Sequence, residues 1–215
     1  MGSRSITKIT FTDTTVRLYL HWGSPEYQIP NMAEFIFWAW TLDKPWTADS
    51  YRAYLDTVSD GSLPAEPTDG FHGDLEHYYR ITIGENGQVT YVYKHLNFDA
   101  EDWAVEFQAE NRAELYDEAI RQLEAHRRWV ADAIEANPKA VHYEQDLAAI
   151  DHHLHEARLY AQVEALPGVP ASACQSDFHA EHSCERDQCS IWTPELTEIA
   201  DRPPRRGDHD DGSQD

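Results

Sequence analysis

Residues 16–30, VRLYLHWGSPEYQIP, set the pattern from which the chain is read. Apolar Val16, Leu18, Leu20 and Trp22 alternate with Arg17, Tyr19 and His21, the period of a half-buried strand. Gly23-Ser24-Pro25 breaks the run, and Pro30-Asn31 opens an aromatic helix expected to cover one sheet face. Residues 6–12 (ITKITFT) alternate in the same way, and Asp13-Thr14-Thr15 joins the two runs at hairpin length. Asn31 is the expected helix N-cap, with Glu34 completing a capping box. Phe35, Ile36, Ala39 and Leu42 give that helix its apolar stripe, with Trp38 and Trp40 at its sides. Trp22, Trp38, Trp40 and Trp46 together point to a large aromatic contact between helix and hairpin; a ligand-stacking platform is the sharper alternative.

Thr47 caps a second, shorter helix with Tyr51, Tyr54, Leu55 and Val58 inward. Residues 59–74, rich in Gly, Pro, Ser and Asp, read as a loop. Two more alternating runs, residues 75–83 and 88–95, flank Gly84-Glu85-Asn86-Gly87, and Asn-Gly between such runs is a strong hairpin signal. Tyr79, Ile81 and Ile83 then share a face with Val89, Tyr91 and Tyr93. From Glu101 the composition turns to Ala, Glu, Arg and Leu. Tyr116, Ile120, Leu123, Arg127, Val130 and Ile134 are spaced 4, 3, 4, 3, 4, and Tyr143, Leu147, Ile150, Leu154, Ala157 and Ala161 repeat a similar seam. Ala136-Asn137-Pro138-Lys139 between them predicts an antiparallel helical hairpin, with Asn137 capping the second helix and Pro138 at its first position. In that alignment Arg127 falls beside Asp151, and their pairing accounts for a cation in an apolar seam.

These elements predict an α+β fold. Residues 1–100 form a four-stranded, largely antiparallel sheet domain with helices on one face. Residues 101–166 form a long helical hairpin, packed on the sheet or projecting as an arm that dimerises. Residues 167–199 form a small Cys/His segment, and residues 200–215 an acidic tail with almost no apolar residue, expected to be disordered.

The 215 residues carry 39 acidic and 17 basic groups, a net charge of −22, with the excess present in every segment. Such a diffuse charge favours solubility and opposes nucleic-acid binding, which needs clustered Lys and Arg. An acidic mimic of nucleic acid, inhibiting a host enzyme, would need ordered acidic rows. No apolar run reaches the roughly 20 residues of a membrane span. Met1 to Ser5 lacks the apolar region of a signal peptide, so a cytoplasmic location is expected.

All three cysteines fall in CQSDFHAEHSCERDQC, with spacing Cys-x4-His-x2-His-x-Cys-x4-Cys. Thiolates and imidazoles are preferred zinc ligands, and a closed tetrahedral site takes four. Cys174, Cys184 and Cys189, with His179 or His182, supply that set for a structural zinc; a redox pair and an inert segment are the competing readings. Asp151, His152, His153, His155 and Glu156 form a second cluster on the second seam helix, in which His152 and His155, or Asp151 and His155, could share a metal; a polar helix face is the simpler reading. His126 flanks the seam of the partner helix. His21, at a strand end beside a Gly-Ser-Pro turn, is the candidate acid–base residue, and His72, Asp74, Glu76 and His77 lie around the loop before the third strand. No phosphate-binding loop, Gly-x-Ser-x-Gly or His-Glu-x-x-His motif is present.

Tyr19-Leu20-His21-Trp22-Gly23-Ser24-Pro25 resembles the Tyr-x-His-Trp-Asp-Gly-Tyr-Pro stretch of small uncharacterised bacteriophage and actinobacterial proteins, with Gly23 standing where that stretch has aspartate. The resemblance implies an accessory protein of phage or mobile-element type. The resulting expectation is a non-enzymatic protein that acts by binding another protein, with a structural zinc, without direct nucleic-acid or membrane contact, and with a homodimer through the helical hairpin as an option. The rival is a metal-dependent or His-based hydrolase, using His21 with the His72–His77 loop or the Asp151–Glu156 histidines.

Overall fold

The computed structural model describes residues 3–41, 44–58, 65–67, 75–97, 102–137 and 142–165. In chain order its elements are β1 (Ser5–Thr10), β2 (Thr15–Leu20), α1 (Pro25–Thr41), α2 (Ala48–Val58), β3 (Ala65–Pro67), β4 (His77–Ile83), β5 (Val89–Asn97), β6 (Asp102–Ala109), α3 (Arg112–Ala136) and α4 (His142–Glu164). Both expected hairpins form. β1 and β2 pair antiparallel with Thr10 opposite Thr15, and β4 and β5 pair with Ile83 opposite Val89. In the second turn Gly84 N–H donates to the Gln88 carbonyl at 2.8 Å, and Gly87 takes φ 66°, where a side chain is strained.

The fold is α+β, but the sheet is larger and less uniform than the expected four antiparallel strands. Six strands run in the order β3-β2-β1-β4-β5-β6, and β1 lies parallel to β4, from Ser5 beside His77 to Thr10 beside Thr82. Parallel neighbours need a long crossover, which α1 and α2 provide. β6 occupies a stretch that its Ala and Glu content assigned to the start of the helices. An extra residue, Glu106, faces the Tyr93–Lys94 step of β5, a bulge that turns Trp103 and Val105 to one face and Phe107 to the other.

Helix ends also differ from expectation. α1 begins at Pro25 rather than at Asn31, with the Ser24 carbonyl accepting from Gln28 N–H at 3.0 Å, and Pro30 lies inside the helix. A proline there removes one backbone hydrogen bond at a cost of about 3 kcal/mol. Ile29, Met32, Phe35 and Ile36 are fully buried by the same helix, each worth roughly 1.5–3 kcal/mol, so burial prevails. α3 starts at an unforeseen capping box: Asn111 Oδ1 accepts from Glu114 N–H at 3.0 Å, and Glu114 accepts from Glu110 N–H at 2.7 Å. Asn137 closes α3, donating its N–H to the Ala133 carbonyl at 3.0 Å. The expected start of α4 at Pro138 lies outside the described residues.

One sheet face carries the main core. Val16, Leu18, Ile9, Tyr79, Ile81, Tyr91 and Tyr93 pack there against Phe35 and Ile36 of α1, Tyr51 and Tyr54 of α2, Leu115 and Tyr116 of α3, and Tyr160 and Val163 of α4. The helical hairpin therefore has one end in the main core. Its other end is held by the expected seam, in which Leu123, Val130, Ile150, Leu154 and Ala157 are buried as a separate cluster. Arg127 and Asp151 pair as anticipated, Nε to Oδ1 at 2.5 Å. The opposite sheet face holds a small cluster of Ile6, Tyr19 and Leu75 with Tyr78 and Trp103, and the cations Lys8, Arg17, Arg80 and Lys94 lie on that face too. Among the described residues no helix is long and apolar enough to cross a membrane.

Gly87 is the sharpest local requirement, since a Cβ there would lie 2.6 Å from the Trp46 ring as well as straining φ. Gly87→Ala is expected to lower unfolding free energy by more than about 1 kcal/mol in urea titration. An unchanged midpoint would contradict this packing.

Candidate functional site

The strand registers set up three rows across the core face. Val16, Ile9, Ile81, Tyr91 and Ala109 form the first, Leu18, Thr7, Tyr79, Tyr93 and Phe107 the second, and Leu20, Ser5, His77, His95 and Ala104 the third. Polarity rises from row to row toward the start of β1 and β4. Burying polar groups costs free energy unless each finds a partner, so the partners define this end of the core. Thr7 Oγ1 accepts from Gln28 Nε2 of α1 at 3.0 Å. The Tyr79 hydroxyl donates to the Gly23 carbonyl at 2.7 Å. His77 Nδ1 and the Tyr93 hydroxyl share a hydrogen bond at 3.0 Å. His77 is only 6% exposed, yet its Nε2 is buried without a hydrogen-bond partner, as is Ser5 Oγ.

His77 lines an open cleft of about 330 Å³ together with Tyr93, His95, Glu106, Phe107, Arg121 and Gln122. β4, β5 and β6 form its floor and α3 its wall. The bulge in β6 inserts Glu106 at the rim, the kind of re-aiming that bulges supply near sites. On α3, the buried Glu118 carboxylate accepts from Arg121 Nε at 2.6 Å, from Arg121 Nη2, and from Gln122 Nε2 at 2.7 Å. That arrangement fixes a guanidinium and an amide in place before any ligand arrives.

Burial pushes the His77 imidazole down to about 4, helped by the neighbouring His95 and opposed by the Glu26 carboxylate of α1. The ring is therefore neutral at pH 7. Burial, and then the carboxylates of Glu106 and Glu26, push the Tyr93 phenol well above its usual range, so it stays protonated. If Tyr93 donates to Nδ1, then Nε2 carries the proton and is a donor; with the roles reversed, Nε2 is an acceptor. Either tautomer leaves one directional hydrogen-bonding group of His77 unmatched.

His21 lies elsewhere. It stands edge-on to Tyr19 with ring centroids 5.0 Å apart, and Tyr19 belongs to the opposite sheet face, so His21 does not join His77. His72 and Asp74 lie outside the described residues. On α4, Glu156 is buried and takes His152 Nε2 at 2.9 Å, while Asp151 is engaged by Arg127. Among the described residues no three potential ligands converge on a metal position. Cys174, His179, His182, Cys184 and Cys189 lie outside the described residues.

Sequence reasoning singled out His77 but missed His95, Tyr93 and Glu106. The signal for His95 was present, because pairing Ile83 with Val89 across the Asn-Gly turn places residue 77 opposite residue 95 by counting. Glu106 had no such signal, since a bulge leaves no mark in an alternating sequence.

A histidine that is neutral when folded and charged when unfolded makes the unfolded state bind more protons between the two values. The His77 contribution to stability is therefore complete above about pH 6.5 and is lost as pH falls toward 4. Urea titrations at pH 7 and pH 4.5 are expected to show a smaller acid loss for His77→Gln than for the wild type. Equal losses would contradict a neutral buried His77. No family model, curated protein or solved structure matches this chain.

Proposed function

We propose that this is a small-molecule-binding protein whose site is the His77 cleft. The observation that supports it is His77 itself, a buried neutral imidazole with one nitrogen paired to Tyr93 and the other unmatched. Leaving such a group unsatisfied costs about 1–3 kcal/mol, and because Nε2 is closed to solvent a ligand in the cleft recovers it by drawing the His77 ring toward itself. The remaining lining indicates what enters. Glu106 offers a carboxylate, Arg121 and Gln122 offer donors held by Glu118, and Phe107 offers an apolar surface. Opposite charges around a ring suit a zwitterion the size of an amino acid, and a volume of about 330 Å³ is at the small end of ligand sites.

Binding is favoured over hydrolysis by the position of the nearest serine. Ser5 is the register neighbour of His77, but Gly23 closes over it so tightly that a Cβ at residue 23 would lie 1.8 Å from Ser5 Oγ. A substrate has no route to that hydroxyl. A structural zinc on Cys174, Cys184 and Cys189 with His179 or His182 is a separate proposal, resting on ligand type and spacing. Zinc content that survives Cys184→Ser would sink it.

The cleft reading is tested by titrating each of the common amino acids, at millimolar concentration, into the full chain labelled with ¹⁵N-histidine. At least one is expected to shift the His77 ring signals, with Glu106→Gln and Arg121→Met each weakening that binding about tenfold. No shift of His77 by any of them would overturn the proposal.

A further inference from the structure

Where α1, α3 and α4 meet, four aromatic rings form a continuous row at the surface. Tyr27 of α1 meets His126 of α3 edge-on at 5.2 Å, His126 lies 6.0 Å from Trp129, and Trp129 meets Tyr143 of α4 edge-on at 6.1 Å. Trp129 is 59% exposed and Tyr27 47%, among the largest apolar exposures of the described residues. Exposed aromatics grouped in this way are uncommon on a monomer surface without a partner. Burial raises the Tyr27 phenol and lowers the His126 imidazole, and the carboxylates of Glu26 and Asp146 act on both rings, each favouring the protonated form. Arg127, the adjacent cation of α3, is held by Asp151. Helical geometry turns Arg128 roughly 100° away from Trp129.

Ring faces carry negative quadrupole potential, and carboxylates beside them add net charge, so the combination recognises cations. We propose that this aromatic row with Glu26 and Asp146 is a docking surface for a basic protein segment, taking lysine or arginine side chains over Trp129 and Tyr27. Charge complementarity selects that occupant. A net charge of −22 draws a polycation toward the whole surface, and the row supplies the contact that orients it. A single small cation fits less well, because Trp129 and Tyr27 are too open to enclose it. The surface shares the Glu26 carboxylate with the surroundings of His77, but it is lined by different residues, and occupancy of one site does not require the other.

The test uses the full chain and a fluorescein-labelled decapeptide of alternating lysine and glycine, followed by anisotropy at 150 mM salt. Binding is expected to weaken about fivefold in Trp129→Ala and similarly in Glu26→Gln/Asp146→Asn, while Trp129→Phe keeps most of it. Acetylating the peptide lysines is expected to abolish binding. Far-UV circular dichroism checks that Trp129→Ala, an exposed position, remains folded. Equal binding by wild type and Trp129→Ala would overturn the proposal, leaving only unspecific attraction to an acidic protein. Complete displacement of the peptide by millimolar tetramethylammonium would overturn it in favour of a small-cation site.

Discussion

The parallel pairing of β1 with β4 is the contact on which the rest of the structure depends. It joins two hairpins, each too small to be stable alone, into one sheet. It also sets Ser5 beside His77 and Thr7 beside Tyr79, which gathers the polar residues of the core face at one end. The crossover that parallel pairing demands brings α1 across this face, with its first turn over that polar end. Gln28 then reaches Thr7, and the Gly23 carbonyl receives the Tyr79 hydroxyl. Gly23 is required there because any side chain would strike Ser5.

A core that ends in serine, threonine, histidine and tyrosine is costly to build. Much of that cost is offset by specific hydrogen bonds, and at this end of the core Ser5 Oγ and His77 Nε2 are left without a partner. Both atoms are closed to solvent, but their residues differ in surroundings. Ser5 is sealed beneath Gly23, whereas His77 lines a cleft whose other walls are the β6 bulge and the side of α3 held by Glu118. The aromatic row at the three-helix junction has a different basis. It is exposed rather than buried, and the cation affinity proposed for it rests on ring potential and carboxylates acting together.

Charge is distributed unevenly over the fold, although it looks diffuse along the chain. Lys8, Arg17, Arg80 and Lys94 come from four separate strands, and sheet pairing places them together on the face away from the helices. The helical side holds Glu26, Glu118 and Asp146 near both candidate surfaces. Counting charges by segment misses this, because alternation in a strand sends neighbours in sequence to opposite faces.

Local patterns were enough to determine the two hairpins, the helical seam and the Arg127–Asp151 pair. Each depends on residues a few positions apart or on a fixed helical repeat, so Asn86-Gly87 and the 4, 3 spacing specify their own partners. Tertiary structure alone decided the rest. The direction of β1 against β4, the passage of α1 through Pro30, and the strand rather than helix at residues 102–109 were settled by which surfaces could be buried together. The cleft follows the same rule. His77 could be noticed in the sequence, but its neutrality, its bond to Tyr93 and its meeting with Glu106 and Arg121 arise from burial and a bulge, which the sequence does not encode locally.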